Sequence, residues 1–158
     1  MMMKKTEVNR SAIMRSVKSA NTKPEMLVRS LVHRLGYRFR LHRKSLPGTP
    51  DLVFPRLKKI VFVHGCFWHG HSCTRGNRIP KINRDYWVRK IERNRERDLL
   101  NLALLEAQGW GAYIAWECRI KSIELVEELR EFLGPRDGPR GQTGCSPLPQ
   151  GQRRLARP

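Results

Sequence analysis

Apolar positions along the chain switch between helical and strand-like spacing, and the switches mark out the elements. The first clear helix is announced by Thr22 and Glu25 at capping-box spacing and by Pro24 in a first-turn position. Met26, Leu27, Leu31, Val32 and Leu35 then recur at helical intervals until Gly36. This places Glu25 in the first turn. Three short apolar or alternating runs follow, Tyr37 to Leu41, Leu52 to Phe54 and Lys59 to Val63. They are separated by Leu46-Pro47-Gly48-Thr49-Pro50 and by Pro55-Arg56-Leu57-Lys58, and read as strands with the last one central. A long helix is predicted from Asn83, a candidate cap, to about Gln108, with Trp87, Ile91, Leu99, Leu102 and Leu105 facing inward and Gly109 ending it. Tyr113 to Trp116 reads as another buried strand and Ile123 to Leu133 as a closing helix.

The order α-β-β-β-α-β-α suits an α/β fold, a mixed sheet with helices on both faces. Ahead of it, residues 11–18 predict a short basic helix with Ile13, Met14 and Val17 along one side. Behind it, the polar Gly/Pro-rich stretch from Gly134 lacks the apolar residues to build a core and is expected to be disordered. The expected organisation is an N-terminal arm over 1–20, one domain over 21–134 and a basic tail over 135–158.

Charge narrows the partner class. The chain carries 32 Lys and Arg against 14 Asp and Glu, a formal net charge of +18. Residues 134–158 hold five Arg and one Asp, so +14 of that belongs to the fold. A surplus of this size is most often used to meet a polyanion, where released counterions drive binding. No apolar run approaches the length of a membrane span, and Lys4 and Lys5 are followed by Thr-Glu-Val-Asn rather than a signal core; the expectation is a soluble, cytoplasmic protein. Four cysteines, Cys66, Cys73, Cys118 and Cys145, are too few and too unevenly spaced for a disulfide scaffold.

The densest chemistry is His64-Gly-Cys66-Phe67-Trp68-His69-Gly-His71-Ser-Cys73, five metal-capable side chains within ten residues directly after a strand. Structural zinc wants four soft or borderline ligands. Cys66, His71 and Cys73 can wrap one ion from a single loop, with Cys118 the natural fourth. The alternative is ordinary buried thiols beside a solvated histidine loop. Cys145, in the tail, makes a poor ligand arm. A second constellation is Gly48-Thr-Pro-Asp51, where a turn delivers an aspartate to the start of a strand. Such an Asp holds Mg²⁺ in restriction-endonuclease-like folds, a hard cation that wants oxygen ligands. The Glu-x-Lys that usually accompanies it is missing from Val61-Phe62-Val63-His64, and a turn residue capping a strand is the plainer reading of Asp51 alone.

Taken together, Val-His-Gly-Cys-Phe-Trp-His-x-His-x-Cys, the preceding Leu-Pro-Gly-x-Pro-Asp and the following Trp-Glu-Cys resemble the very-short-patch-repair (Vsr) mismatch endonucleases. The resemblance runs from about Ser11 to the end of the closing helix, roughly four-fifths of the chain, and takes in Met14, Glu25, Asn94 to Asp98 and Gly109-Trp110. It implies a restriction-endonuclease-like mixed sheet with a structural zinc held by Cys66, His71, Cys73 and Cys118. It further implies catalytic Mg²⁺ on Asp51 and on the backbone carbonyl of Val63, where the family commonly has Thr, so that a carbonyl ligand survives and a hydroxyl is lost. His69 would activate the attacking water, a task open to a neutral imidazole, while His64 and Glu25 would hold waters of the metal or phosphate oxygens. Phe67, Trp68 and Trp87 would wedge beside the mismatch, with Met14 entering from the minor groove and Val17 its neighbour; core packing is the competing reading for Trp87.

The implied function is a Mg²⁺-dependent nick in one DNA strand 5′ to the thymine of a T:G mismatch, by a monomer. A functional link to a DNA cytosine methyltransferase follows, since such mismatches arise from deaminated 5-methylcytosine. The rivals are a restriction-like nuclease on matched DNA and a non-catalytic zinc module that binds nucleic acid.

Overall fold

Thr22 is the N-cap of the first helix, α1 (Lys23–Arg34), and its hydroxyl accepts the Glu25 N–H at 3.4 Å. The structure, a computed structural model, describes residues 20–135; the predicted helix over 11–18, with Met14 and Val17, and the chain from 136 on, with Cys145, lie outside the described residues. The predicted capping box forms with one change. The Glu25 carboxylate reaches back past the cap to the Asn21 N–H at 2.9 Å and also accepts the Thr22 hydroxyl at 3.1 Å. Val28 and Val32 form the buried stripe of α1, whereas Met26 (51% exposed) and Leu27 face outward.

The sheet contains β1 (Arg40–Leu41), β2 (Leu52–Phe54), β3 (Lys59–His64) and β4 (Gly111–Trp116) in the order β1-β2-β3-β4. The first three are antiparallel neighbours, and β4 pairs parallel to β3 from Lys59↔Gly111 to His64↔Trp116. That parallel step needs a crossover, which α2 (Arg84–Ala107) supplies. Alternation along the strands divides the core. Leu52, Phe54 and Val61 pack with α1 and with α3 (Ile123–Leu133), while Val53, Ile60 and Phe62 pack with Leu105 and Trp110 on the opposite face. Helices therefore cover both faces, and β3 lies inside the sheet, as the pattern predicts.

Four details differ from the sequence expectation. The strand predicted over 37–41 shrinks to Arg40–Leu41, because its partner β2 lies between Pro50 and Pro55 and can offer only three residues to the ladder. Tyr37 and Phe39 pack edge-on against Phe54 instead, and the Tyr37 hydroxyl donates to the Gly134 carbonyl at 2.6 Å. Asn83 precedes α2 in a left-handed conformation (φ 56°) and its side chain caps nothing. Leu99, expected inward, is 68% exposed. The inward line of α2 runs through Ile91, Asp98 and Leu105, seven residues apart, so its middle is polar where it borders a cleft and Leu99 falls one position outside. Finally, β4 is an edge strand in which only Ala115 is fully buried.

The closing helix forms as expected. Ser122 caps it by accepting the Leu125 N–H at 3.3 Å, Leu125, Leu129 and Leu133 are buried, and Gly134 (φ 79°) ends it. Each of those leucines contributes about 1.5–3 kcal/mol by leaving water.

Candidate active site and the neighbouring cysteine cluster

Asp51 follows a tight turn in which Gly48 (φ +72°) and Thr49 (φ 50°) both have positive φ. A side chain at Gly48 would stand 2.9 Å from Asn101 Nδ2 and 3.1 Å from Phe62, so glycine is required for the turn to lie against α2. The Val63 N–H donates to Asp51 Oδ2 at 2.7 Å, which locks the carboxylate to β3. Burial, then the nearby Glu25 charge, pushes the Asp51 carboxyl up from 3.8 to about 6, against the Val63 hydrogen bond that lowers it. Glu25, His42 and Asp51 bring ligand atoms within 4.8 Å of one another.

His64 ends β3, buried, and its ring stacks on that of His69 with centroids 3.7 Å apart and planes 11° apart. Burial, then the His69 imidazole, lowers the His64 pKa to about 4, so its ring is neutral at neutral pH. His69 Nδ1 is hydrogen-bonded to Asp98 of α2, whose carboxylate also lies 4.0 Å from His64 Nδ1. His64, His69 and Asp98 form a second group of mutually close ligand atoms. Both groups line one cleft of about 1030 Å³, with Lys44, Lys90 and Arg97 adding positive charge. Asp51 and the two histidines therefore share a surface.

Residues 65–71 make a helical turn, with His69 N–H bonded to the Gly65 carbonyl at 3.3 Å and His71 N–H to the Cys66 carbonyl at 3.0 Å. This turn, with Gly70 at φ +60° inside it, sends His69 into the cleft and His71 away from it. A side chain at Gly70 would meet Ile91 at 2.8 Å, and Asn94 donates to the Trp68 carbonyl at 2.8 Å, so the loop is docked on α2.

The other side of the loop faces sulfur. Cys66, His71, Cys73 and Cys118 place their donor atoms within 4.8 Å of one another. Topology accounts for this. The parallel register sets Trp116 beside His64, so the short 3-10 turn Glu117–Arg119 that follows β4 delivers Cys118 next to Cys66. Burial pushes the Cys66 thiol up to about 12, while a hydrogen bond with His71 draws Cys73 down to about 6. Three thiols and an imidazole at this spacing fit a borderline-soft cation, and the oxygen donors at Asp51 fit a hard one.

Phe67, Trp68 and Trp87, all half-buried, form one cluster with ring centroids 5.0–6.1 Å apart. Tyr86 extends it edge-on to Trp87 at 5.2 Å, and the Lys90 ammonium lies over three of these rings. Sequence reasoning singled out neither His42, Asp98 nor Lys90 as a site residue. Asp98 had a signal, since it occupies the inward phase of α2 midway between Ile91 and Leu105; His42 had none.

A family model of the DNA mismatch endonuclease Vsr matches residues 2–75. The type II nicking enzyme V.XorIIP of Xanthomonas oryzae is 53% identical over 127 residues, spanning 80% of this chain and 93% of the relative. The type II nicking enzyme V.NmeAIP of Neisseria meningitidis is 44% identical, spanning 78% and 87%. The DNA mismatch endonuclease Vsr of Escherichia coli is 35% identical, spanning 80% and 85%. With the mixed sheet and the cleft, these likenesses define an endodeoxyribonuclease. The chain belongs to the Vsr DNA mismatch endonuclease family. Among the described residues, no helix is long and apolar enough to cross a membrane.

Proposed function

We propose that this enzyme hydrolyses one phosphodiester 5′ to the mispaired thymine of a T:G mismatch, in a magnesium-dependent reaction that leaves 5′-phosphate and 3′-hydroxyl ends. The observation that carries this reading is the shared cleft. Asp51, fixed by the Val63 N–H, faces the stacked pair His64 and His69, and Trp68 of the aromatic cluster lines the same wall. Asp51 and the Val63 carbonyl would hold magnesium, which supplies charge that offsets the phosphate's and lowers the pKa of the attacking water. A carboxylate whose pKa is raised by burial, with the Glu25 charge beside it, fits such a cation.

The chain's own groups divide the remaining work. His69, with Nδ1 engaged by Asp98, keeps Nε2 free to take a proton from the attacking water. His64, held neutral by burial, offers a hydrogen bond to a phosphate oxygen without competing for that proton. Glu25, which lines the same cleft, would hold waters of the metal or phosphate oxygens. Phe67, Trp68 and Trp87 would wedge beside the mismatch, where an already weakened step costs less to open than a paired one; Met14 would enter from the minor groove, with Val17 its neighbour. Cys66, His71, Cys73 and Cys118 would hold structural zinc.

We take residues 21–134 as the catalytic unit on a restriction-endonuclease-like sheet, with 1–20 a DNA-contacting arm and 135–158 a basic tail. The enzyme would act as a cytoplasmic monomer, functionally linked to a DNA cytosine methyltransferase that creates the sites.

Purified full-length protein with Mg²⁺ should nick a T:G duplex on the thymine strand and leave the matched duplex intact. Nicking of both duplexes alike would favour a nuclease for matched DNA, a reading that the nicking-enzyme names of several relatives keep in view. Tight binding without a nick would favour a non-catalytic module. His69→Ala should lower kcat by about 10²–10⁴-fold with KM nearly unchanged; an equal rise in KM would make His69 a binding residue instead.

A further inference from the structure

We infer that His42 is a positioning residue of the cleavage site, its imidazole held by Arg29 so that a single N–H faces the Asp51 carboxylate. The inference deepens the magnesium reading above and rests on it. It starts from hydrogen-bond accounting around Arg29, a guanidinium that is buried in α1. Its Nη2 donates to Glu25 Oε2 at 2.8 Å and lies 2.7 Å from His42 Nε2, and its Nη1 donates to Asn21 Oδ1 at 2.6 Å. Arginine has only donors, so His42 Nε2 must accept. A neutral ring that accepts on Nε2 carries its proton on Nδ1. Nδ1 is the atom turned toward Asp51, 4.0 Å from Oδ1.

Two consequences follow for the site. His42 lies within a metal ion's reach of Glu25 and Asp51, yet one of its nitrogens is spent on Arg29 and the other bears hydrogen, so it serves as a donor and not as a ligand. Asp51 is then fixed on Oδ2 by the Val63 N–H, while the His42 N–H faces Oδ1 across 4.0 Å and biases the carboxylate electrostatically, leaving both oxygens with lone pairs for the cation. Glu25 has the matching role at the other end. Its Oε2 accepts from Asn21 and Arg29 and its Oε1 from Thr22, so its charge holds the guanidinium in place while Oε1 keeps one lone pair. The Arg29 Nε–H is buried with no hydrogen-bond partner among the described residues, a cost that the fold carries to keep this arginine where it is. Partners that orient a metal-binding carboxylate are worth about 10–100-fold in metal affinity or activity.

His42 is a quarter exposed at the cleft wall and belongs to neither apolar core cluster. Full-length protein labelled with ¹⁵N-histidine should show the Nδ1–H tautomer for His42 at neutral pH, assigned by loss of its signals in His42→Gln. An Nε2–H tautomer or an imidazolium would overturn the inference. Mn²⁺ titration of the DNA-free protein supplies the second reading. His42→Phe, which keeps the ring and removes both nitrogens, should raise the half-saturating Mn²⁺ concentration about tenfold or more. His42→Gln, with one acceptor and one donor, should restore most of the affinity. Equal Mn²⁺ affinity in wild type and His42→Phe would overturn the inference alone, provided Asp51→Asn abolishes binding. Binding unaffected by Asp51→Asn would overturn the cation reading itself and this inference with it.

Discussion

Asp51→Asn is expected to abolish nicking while making the metal-free protein more stable. Burial holds the Asp51 carboxyl at about 6 against an ordinary 3.8, so ionising it at neutral pH costs the fold roughly 3 kcal/mol. Asparagine removes that cost but loses part of the hydrogen bond from the Val63 N–H, so the net gain should be about 1–2 kcal/mol, a rise in Tm on the order of 5 °C. Nicking should fall at least about 10³-fold, because a charge worth several kcal/mol to the transition state can no longer be anchored.

The sign of the pH dependence gives a further check. The folded state binds a proton at Asp51 that the unfolded chain has released between pH 3.8 and about 6, so this group's contribution is largest below that window and is lost as pH rises through it. His64 acts in the opposite sense. Its folded pKa of about 4 lies below the ordinary 6.5, so stability is present above 6.5 and falls as pH drops toward 4. In wild type the two slopes nearly cancel between pH 4 and 6. In Asp51→Asn only the His64 slope remains, and thermal stability should climb with pH by up to about 1.4 kcal/mol per unit. A variant that melts below wild type in metal-free buffer, or a flat pH profile, would refute this account of Asp51.

Loss of zinc should do the reverse, removing stability and activity together. The loop from His64 to Cys73 carries both cleft histidines, His64 before its helical turn and His69 within it, and the four donors beside it would cross-link the β3 and β4 ends through the metal. Structural zinc in small domains is worth about 10–16 kcal/mol of binding free energy, which is folding free energy wherever the site forms only on folding. Protein purified without added metal should hold about one zinc per chain. Cys66→Ala should lose it, with a Tm drop of more than 10 °C at the usual rate of about 4–8 °C per kcal/mol, and with no detectable nicking. Cys118→Ala should also lose the metal, whereas Cys145→Ala should keep it. Zinc-free protein that melts and nicks like wild type would remove the site from the account.

Much of the molecule was legible in advance because its signals are local. The cap at Thr22, the leucine stripe of α3 and the alternation of β2 and β3 depend on residues within a few positions of one another, and all three form where the pattern places them. The dense His64 to Cys73 run likewise announces metal-capable chemistry by composition alone. Leu99 misled because periodicity counts apolar residues and assumes that the inward face is apolar throughout. On α2 the middle of that face is Asn94, Asp98 and Asn101, polar because it borders a cleft.

What local pattern determined, then, is the element order, the two-faced sheet, the basic charge and the identity of the ligand-bearing loop. Tertiary structure decided which distant groups meet there. Parallel pairing of β3 with β4 brings Cys118 to Cys66, the crossover helix brings Asp98 to His69, and the end of β1 brings His42 to Arg29 and Asp51. Cys118 could be named in advance from the loop's need for a fourth donor, but the partners of His69 and His42, between 9 and 29 positions away, share no period with them, so only the closed fold, in which buried polar groups must find one another, could select them.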